Sequence, residues 1–388
     1  MEQRKLRLGI IGIGNMGGGH IRNWLNGDMP EIEITAICDI DPKRLEAGKE
    51  LVPNAAAFPT SAELIRSGTV DAIVIATPHY DHPPIAIDAL NNGVHVMSEK
   101  PAGVYTKQVR ELIEVAAKSK YTYAIMFNQR TNCVFRKVRQ LVRSGIYGEI
   151  RRVSWIITDW FRTQSYYDSG SWRATWSGEG GGVLMNQCPH QLDLWQWICG
   201  MPCKITGFCK EGRWHDIEVE DDVTIYAEYP NGATGTFITS TGDAPGTNRL
   251  EITMDKAKIV VTDAAKISLY ELDDSLTDYI YGSKEGFAKV SGKDVEIVTD
   301  GFNPQHSGVM NAFAAHILRG EPLVAEGQEG INGLMISNAA FLSSWLGKPV
   351  ELPIDEELYW EELKKRIDGS HAKSRVVEQV QADMSGTF

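Results

Sequence analysis

Cysteine is scarce in this 388-residue sequence, and the six present, Cys38, Cys133, Cys188, Cys199, Cys203 and Cys209, form no CxxC pair. Cys199, Cys203 and Cys209 are loosely spaced with no histidine at zinc-site distance, so no metal is expected. Their apolar or strand-like surroundings suit buried free thiols in a reducing cytoplasm better than a disulfide framework. Long apolar runs are missing too. None approaches the length that crosses a bilayer, and MEQRKLRLGIIG runs straight into a first strand, leaving no room for a signal peptide. Basic charge is in deficit: 39 Lys and Arg face 51 Asp and Glu, a net charge of −12. That balance disfavours nucleic acid and anionic membranes as partners. No internal repeat or low-complexity segment is visible. What remains is a globular composition, 43% hydrophobic and 23% charged, on a chain long enough to expect two domains.

Glycine is plentiful, and one group of glycines is placed with purpose. The apolar run Leu8, Ile10, Ile11 breaks into Gly12-Ile13-Gly14-Asn15-Met16-Gly17 and continues through His20, Ile21 and Trp24 at helical spacing. Gly12 permits the tight strand-to-helix bend, Gly14 lets the backbone approach a pyrophosphate, and Gly17 lets the helix pack on the strand. Phosphates would sit at the helix N-terminus, where free N–H groups and the dipole favour negative charge. The next apolar run, Ile32 to Cys38, ends in Asp39, whose carboxylate suits the adenosine ribose hydroxyls and repels a 2′-phosphate. The expected cofactor is therefore NAD(H), with Lys43 and Arg44 just beyond Asp39 able to soften the discrimination.

The following stretch alternates strand and helix: a helix over Pro42 to Leu51, a nearly all-apolar strand over Asp71 to Ala76, a helix over Pro83 to Asn92, a strand over Val94 to Met97, a helix over Val104 to Lys118 and a strand over Tyr121 to Phe127. This alternation predicts an α/β protein whose first domain, residues 1–127, is a doubly wound parallel Rossmann sheet. Past Asn128 the pattern changes. Helices are expected over Val134 to Ser144 and Leu184 to Trp197, with partial apolar–polar alternation over Ile150 to Trp160 between them, then strands over Val223 to Tyr229, Ala233 to Ser240, Arg249 to Met254 and Lys258 to Thr262, with Asn231-Gly232 as a hairpin turn. Helices return over Gly308 to Arg319 and Gly330 to Leu346, and the polar tail from Asp368 reads as poorly ordered. Residues 128–388 are expected to form an α/β domain with an open, mostly antiparallel sheet.

Ligands of such sheets bind at the carboxyl ends of the strands. Thr77-Pro78-His79 and Glu99-Lys100-Pro101 stand at two of those ends. Lys100, after an apolar strand and before a proline, would project into the cleft and polarise a carbonyl or accept a proton. A second candidate stretch is Gly180-Gly181-Gly182, which implies close backbone approach, leading into Asn186, His190 and Asp193. On a helix Asn186 and His190 would share one face, and a histidine suits acid–base work. A surface lysine and a satisfied core histidine would read the same way from spacing alone.

These elements together resemble the glucose-fructose oxidoreductase / inositol 2-dehydrogenase / MocA family: GIGNMGGGH, AICDIDPKR, ATPHYDHPPIAIDALNNGVHVMSEKP, the Trp172-Arg173 pair and GGGVLMNQCPHQLDLWQW. The resemblance runs from about Leu6 to Pro353. It implies NAD(P)-dependent chemistry, with Lys100 near nicotinamide and substrate and His190 at the catalytic histidine position. The cofactor set it implies is Gly12, Gly14, Asn15, Met16, Gly17, Asp39, Thr77, Pro78, His82, Glu99, Lys100, Asn128, Trp172 and Arg173. Position 186 is commonly Asp in inositol dehydrogenase-like members; here it is Asn, which cannot accept a proton and can only orient a substrate. The form of the second motif is most similar to branches that oxidise sugars and glycosides, often at C3. Family members usually pair through the outer face of the second sheet, so a homodimer or homotetramer is implied.

The stretch Trp160 to Trp176 holds Trp160, Tyr166, Tyr167, Trp172 and Trp176 with Arg162, Gln164 and Arg173 among them. Aromatic faces stack on sugar rings and the polar groups can address hydroxyls, though core packing or a subunit interface uses aromatics equally well. The substrate set is therefore Arg162, Tyr167, Trp172 and Arg173, with Asn186 from the second motif and His306, which the resemblance places near the pocket. The expected activity is hydride transfer between nicotinamide and a ring carbinol of a sugar or glycoside, with Lys100 and His190 catalytic. A glycosidase working through transient oxidation by tightly bound NAD, an inositol or polyol dehydrogenase, and a non-catalytic NAD-binding regulator are the alternatives.

Overall fold

The computed structural model describes residues 4–371 with 373 and 376. Its N-terminal part builds a six-stranded sheet from β1 (Leu6–Ile11), β2 (Ile32–Cys38), β3 (Ala56–Phe58), β4 (Ala72–Ile75), β5 (His95–Ser98) and β6 (Tyr123–Ile125). Every pairing is parallel and the order is β3-β2-β1-β4-β5-β6. This is the doubly wound Rossmann order, and its switch point lies between β1 and β4. The connecting helices are α1 (Asn15–Leu25), α2 (Pro42–Leu51), α3 (Ser61–Arg66), α4 (His82–Asn91) and α5 (Thr106–Lys118). Local chemistry explains their starts. The Asp41 side chain caps α2 by accepting from Lys43 N at 2.9 Å, with Pro42 in the first turn where its missing N–H costs nothing. Each residue of β4 is buried, as a strand covered on both faces requires.

The second sheet has nine strands: β7 (Ile150–Ile157), β8 (Lys204–Glu211), β9 (Glu220–Glu228), β10 (Thr234–Ser240), β11 (Asn248–Met254), β12 (Ala257–Thr262), β13 (Lys266–Leu272), β14 (Gly292–Val295) and β15 (Val350–Glu351). Only β7 and β10 pair in parallel, so the sheet is mixed and mostly antiparallel. Asn231-Gly232 does form the turn between β9 and β10, with Gly232 at φ 82°. β8, β13, β14 and β15 extend the sheet beyond the strands expected from sequence. Helices α6 (Cys133–Arg143), α7 (Gln164–Tyr167), α8 (Pro189–Cys199), α9 (Leu276–Gly282), α10 (Gln305–Arg319), α11 (Gly330–Leu346) and α12 (Glu356–Asp368) complete the fold. α11 lies directly on β8: a Cβ on Gly207 would stand 2.3 Å from the Ala340 carbonyl oxygen.

Chain order and packing part company at α10. Val309, Met310, Phe313 and Ala314 share a core with Leu6, Leu8 and Ile10, so a helix from the C-terminal part finishes the first domain. A second difference bears on the site. The helix expected over Leu184 to Trp197 begins only at Pro189, and turns occupy the residues before it. Proline at the first helical position explains the late start. Among the described residues no helix is long and apolar enough to cross a membrane. The tail expected to be poorly ordered after Asp368 falls largely outside the described residues.

Candidate active site

The glycine turn is built as its residues dictate. Gly12 has φ 90°, and a Cβ there would lie 2.6 Å from the Ala76 carbonyl oxygen. A Cβ on Gly17 would fall 1.9 Å from Gly12 O, so helix and strand touch through bare backbone. Gly14 differs: only the Arg44 guanidinium comes near, 3.9 Å from where its Cβ would be, which leaves the turn open at the N-terminus of α1. That terminus has no side-chain cap, so Asn15 and Met16 begin a helix ready for phosphate oxygens. Asp39 is buried and held by two backbone donors, Ile13 N at 2.7 Å and Asp41 N at 2.9 Å. Its carboxylate thus stands fixed beside the turn, with lone pairs left over for ribose hydroxyls.

At the neighbouring strand ends, Thr77 Oγ1 and Asn128 Oδ1 are buried with no hydrogen-bond partner among the described residues. Unsatisfied buried groups are costly, and a bound dinucleotide would satisfy both. Asn128 Nδ2 donates to Gln305 Oε1 at 2.6 Å, which seats the start of α10 at the cleft. His82 is used differently from the expectation. Its two ring nitrogens lie 2.9 Å from Thr77 O and 2.8 Å from Pro101 O, so the ring ties the loop next to Pro78 to the turn after Lys100 instead of facing a cofactor.

Lys100 is half-buried and its Nζ donates to the Asn186 carbonyl at 2.8 Å. Burial lowers its pKa, against the pull of Glu99 and Glu179. Glu99 accepts from His20 Nε2 at 2.8 Å, and the His20 ring meets His306 edge-on at 5.9 Å. His306 in turn is driven down to about 4, chiefly by burial. His190 is buried in the first turn of α8, and neither ring nitrogen has a partner among the described residues. Burial, then Lys100 and His306, push its pKa well below the ordinary value; the positive end of α8 acts in the same direction. The ring is neutral and free to bond a ligand. Asn186 precedes the helix and so does not share a helical face with His190. Asp193 is a structural residue, locked in a buried ion pair with Arg130 at 2.7 Å. Lys100, at the end of β5, thus meets the turn that leads into α8 and lies close enough to His190 to act on its pKa.

The aromatic stretch divides. Tyr166 is flanked by the guanidinium groups of Arg162 and Arg173, at 5.1 and 4.5 Å from its ring centre. Trp172 stands 4.7 Å from Arg173 and edge-on to His79 at 6.1 Å. Tyr167 points the other way: it is 2% exposed, and its hydroxyl is spent on Thr241 at 2.7 Å. Trp176 packs into the core against Phe341 and Trp345. The three glycines approach protein and not ligand, since a Cβ on Gly182 would sit 1.9 Å from Glu220 O. The Glu220 carboxyl braces this segment through Gly182 N and Leu184 N at 2.8 and 2.9 Å, and burial raises it to about 8. Sequence reading missed Glu220 and the buried Glu179; the one local signal was a charge set between Gly178 and Gly180.

Comparison with known proteins agrees with this anatomy. Residues 6–127 match the model of an oxidoreductase family with an NAD-binding Rossmann fold, and residues 135–260 match the GFO/IDH/MocA C-terminal domain. The chain belongs to the Gfo/Idh/MocA family. Rhizopine catabolism protein MocA of Rhizobium meliloti is 30% identical over 197 residues, 50% of this chain and 58% of that protein. Inositol 2-dehydrogenase of Corynebacterium glutamicum (strain ATCC 13032) is 28% identical over 51% of this chain and 55% of its own length. The chain thus spans a little over half of those relatives. Among solved structures, the WlbA dehydrogenase of Chromobacterium violaceum, in complex with NADH and UDP-GlcNAcA, superposes with a TM-score of 0.77. It is 26% identical, over 92% of this chain and 98% of that one. A levoglucosan dehydrogenase bound to NADH and levoglucosan shares the fold at a TM-score of 0.76 and 17% identity, over 90% of this chain and all of its own.

Proposed function

We propose that this protein is an NAD(H)-dependent dehydrogenase that oxidises a ring carbinol of a sugar or glycoside, with C3 and a 3-keto product as the specific form. The observation that carries the reading is the buried His190 ring, whose two nitrogens have no partner among the described residues and whose pKa burial and the nearby Lys100 push down. Nicotinamide, when bound, supplies the hydride chemistry. The protein must then handle one proton and one developing charge. Neutral His190 takes the hydroxyl proton as the carbinol C–H leaves as hydride, and returns it in the reverse direction. Lys100, anchored on the Asn186 carbonyl, donates to the same oxygen while negative charge grows on it. Tyr166, Trp172 and the two arginines stacked beside them form the wall that would receive the sugar ring.

The test is turnover of the purified protein with NAD+ against a panel of sugars, glycosides and inositols, followed by NADH absorbance. NADH formation with a sugar or glycoside is expected; none with any of the panel overturns the reading. A second reading rests on a relative named glycosyl hydrolase family 109 protein in Shewanella pealeana, 29% identical over 46% of this chain and 41% of that protein. Release of the aglycone with no net NADH would select that glycosidase.

A further inference from the structure

Glu179 is 1% exposed, and its carboxylate is fully engaged. Oε2 accepts from Ala174 N at 2.6 Å, while Oε1 accepts from Asn186 Nδ2 and lies 3.4 Å from Arg173 Nη1. Its carbonyl also meets His79 Nδ1 at 3.0 Å. The other end of the Asn186 amide is equally fixed. Tyr166 Oη receives the Arg173 guanidinium at 2.7 Å and Gln187 Nε2 at 3.1 Å, so its own proton goes to Asn186 Oδ1 at 3.2 Å. A carboxylate only accepts and this hydroxyl must donate, so the amide has one orientation. Of the Asn186 side chain only the second amide hydrogen is left to address a substrate. Asn186 also offers the site its carbonyl, which holds Lys100 Nζ at 2.8 Å.

We propose that Glu179 is the positioning carboxylate of this site: it locks Asn186, and through the Asn186 carbonyl it sets where the Lys100 amino group stands. The inference rests on the reading of Lys100 as the group at the reacting oxygen. A merely structural Glu179 would fill space and satisfy Ala174 N; a positioning one also supplies charge. Lys100 is faced by Glu99 from its own strand end, by Glu179 and Arg173 from the loop, and by Cys188, His190, His79 and His306 around it. Glu99 is already spent on His20. Glu179 is therefore the second negative charge opposing the lowering of the Lys100 pKa by burial.

The amide–carboxylate pair can be exchanged in place. E179Q keeps one of the two hydrogen bonds that the carboxylate accepts and removes the charge, and N186D sets two carboxylates in contact. The double variant E179Q/N186D restores one charge and lets the new glutamine amide accept from Ala174 N and donate to the new carboxylate. Two readouts are needed. The pH midpoint of Lys100 acylation by an amine-reactive reagent, read by peptide mass spectrometry, requires no substrate; kcat and KM follow on any sugar that turns over. E179Q should move the midpoint down by about one pH unit and lower kcat roughly tenfold to hundredfold, with NADH affinity kept. The double variant should recover both. An E179Q protein with the wild-type midpoint, or a double variant no better than E179Q, overturns the proposal. Should E179Q fail to fold, the double variant decides alone: folded with the wild-type midpoint it supports the proposal, otherwise it overturns it. If no sugar turns over, the proposed activity fails while the labelling midpoint still decides the role of Glu179.

Discussion

Lys100 Nζ donates to the backbone carbonyl of Asn186 at 2.8 Å, a bond that joins residues 86 apart. It runs from the end of β5, in the part matched by the NAD-binding family model, to the turn that leads into α8, in the part matched by the C-terminal one. The lysine is therefore placed by a backbone atom, which substitution at position 186 does not remove.

The first prediction concerns His190 and Lys100. His190→Ala should lower turnover by roughly 10²- to 10⁴-fold, the worth of a positioned acid–base group, with NADH affinity nearly unchanged. Lys100→Ala should lower turnover and also raise the substrate KM, since a charge near the reacting oxygen is lost. Steady-state kinetics with an NADH titration separates the two. A His190→Ala enzyme with wild-type turnover would remove His190 from the mechanism.

The pH dependence follows in sign. The His190 pKa is held well below the ordinary histidine value of 6.5, so the neutral base persists as pH falls through that value. The acid limb of kcat/KM for oxidation should lie below 6.5. Lys100 is lowered from 10.5, so its ammonium is lost earlier as pH rises and the basic limb should lie below 10.5. A profile that drops with a midpoint at or above 6.5 on the acid side would contradict the burial of His190.

Asp39→Ala should weaken NAD(H) and relax discrimination against NADP(H), because the carboxylate that repels a 2′-phosphate is gone. It should also destabilise the fold by about 1–3 kcal/mol, since Ile13 N and Asp41 N lose their acceptor. Binding titrations of both cofactors and urea unfolding report the two effects separately. A wild-type protein that already prefers NADP(H) would show Arg44, close to Gly14, to be the stronger determinant.

Asp193→Ala is expected to act on stability instead. Arg130 is 2% exposed and would keep only Glu329 as an ionic partner, at 2.7 Å. Removing one member of a buried pair costs about 3–5 kcal/mol, and the remaining Glu329 contact should hold the loss to the lower end. Urea unfolding should show it, while kcat per folded molecule stays near wild type.

Much of this was legible because it is local. Gly12, Gly14, Gly17 and Asp39 act within one strand–turn–helix–strand unit, and the alternation behind them dictates a parallel sheet. The shared helical face of Asn186 and His190 failed on a signal that was present: Pro189 marks the first turn, three residues past Asn186. Adjacent tyrosines were not separable, since Tyr166 and Tyr167 differ only in what lies opposite, Arg173 in one case and Thr241 in the other. Glu179, the His82 tie and the return of α10 to the first core depend on partners far along the chain. Residue type and spacing carry no record of those.

The last prediction is assembly. The outer face of the nine-stranded sheet carries a row of facing residues, Phe208, Thr224, Ile238, Ile156 and Arg249, running across β8, β9, β10, β7 and β11. In the next row Thr206, Tyr226, Thr236, Ser154 and Glu251 follow the same strands. Phe208, Tyr226 and Ile156 are exposed large apolar side chains in the single chain. A broad sheet face bearing aromatics among threonines is what a partner normally covers. Its two facing rows suit a second copy laid face to face. We expect a homodimer or homotetramer built through residues of about Ile205 to Thr262. Phe208→Asp with Tyr226→Asp should shift it to monomer while the Rossmann domain still binds NADH. Light scattering at micromolar concentration is the measurement, and a wild-type monomer there would leave this face without its expected role.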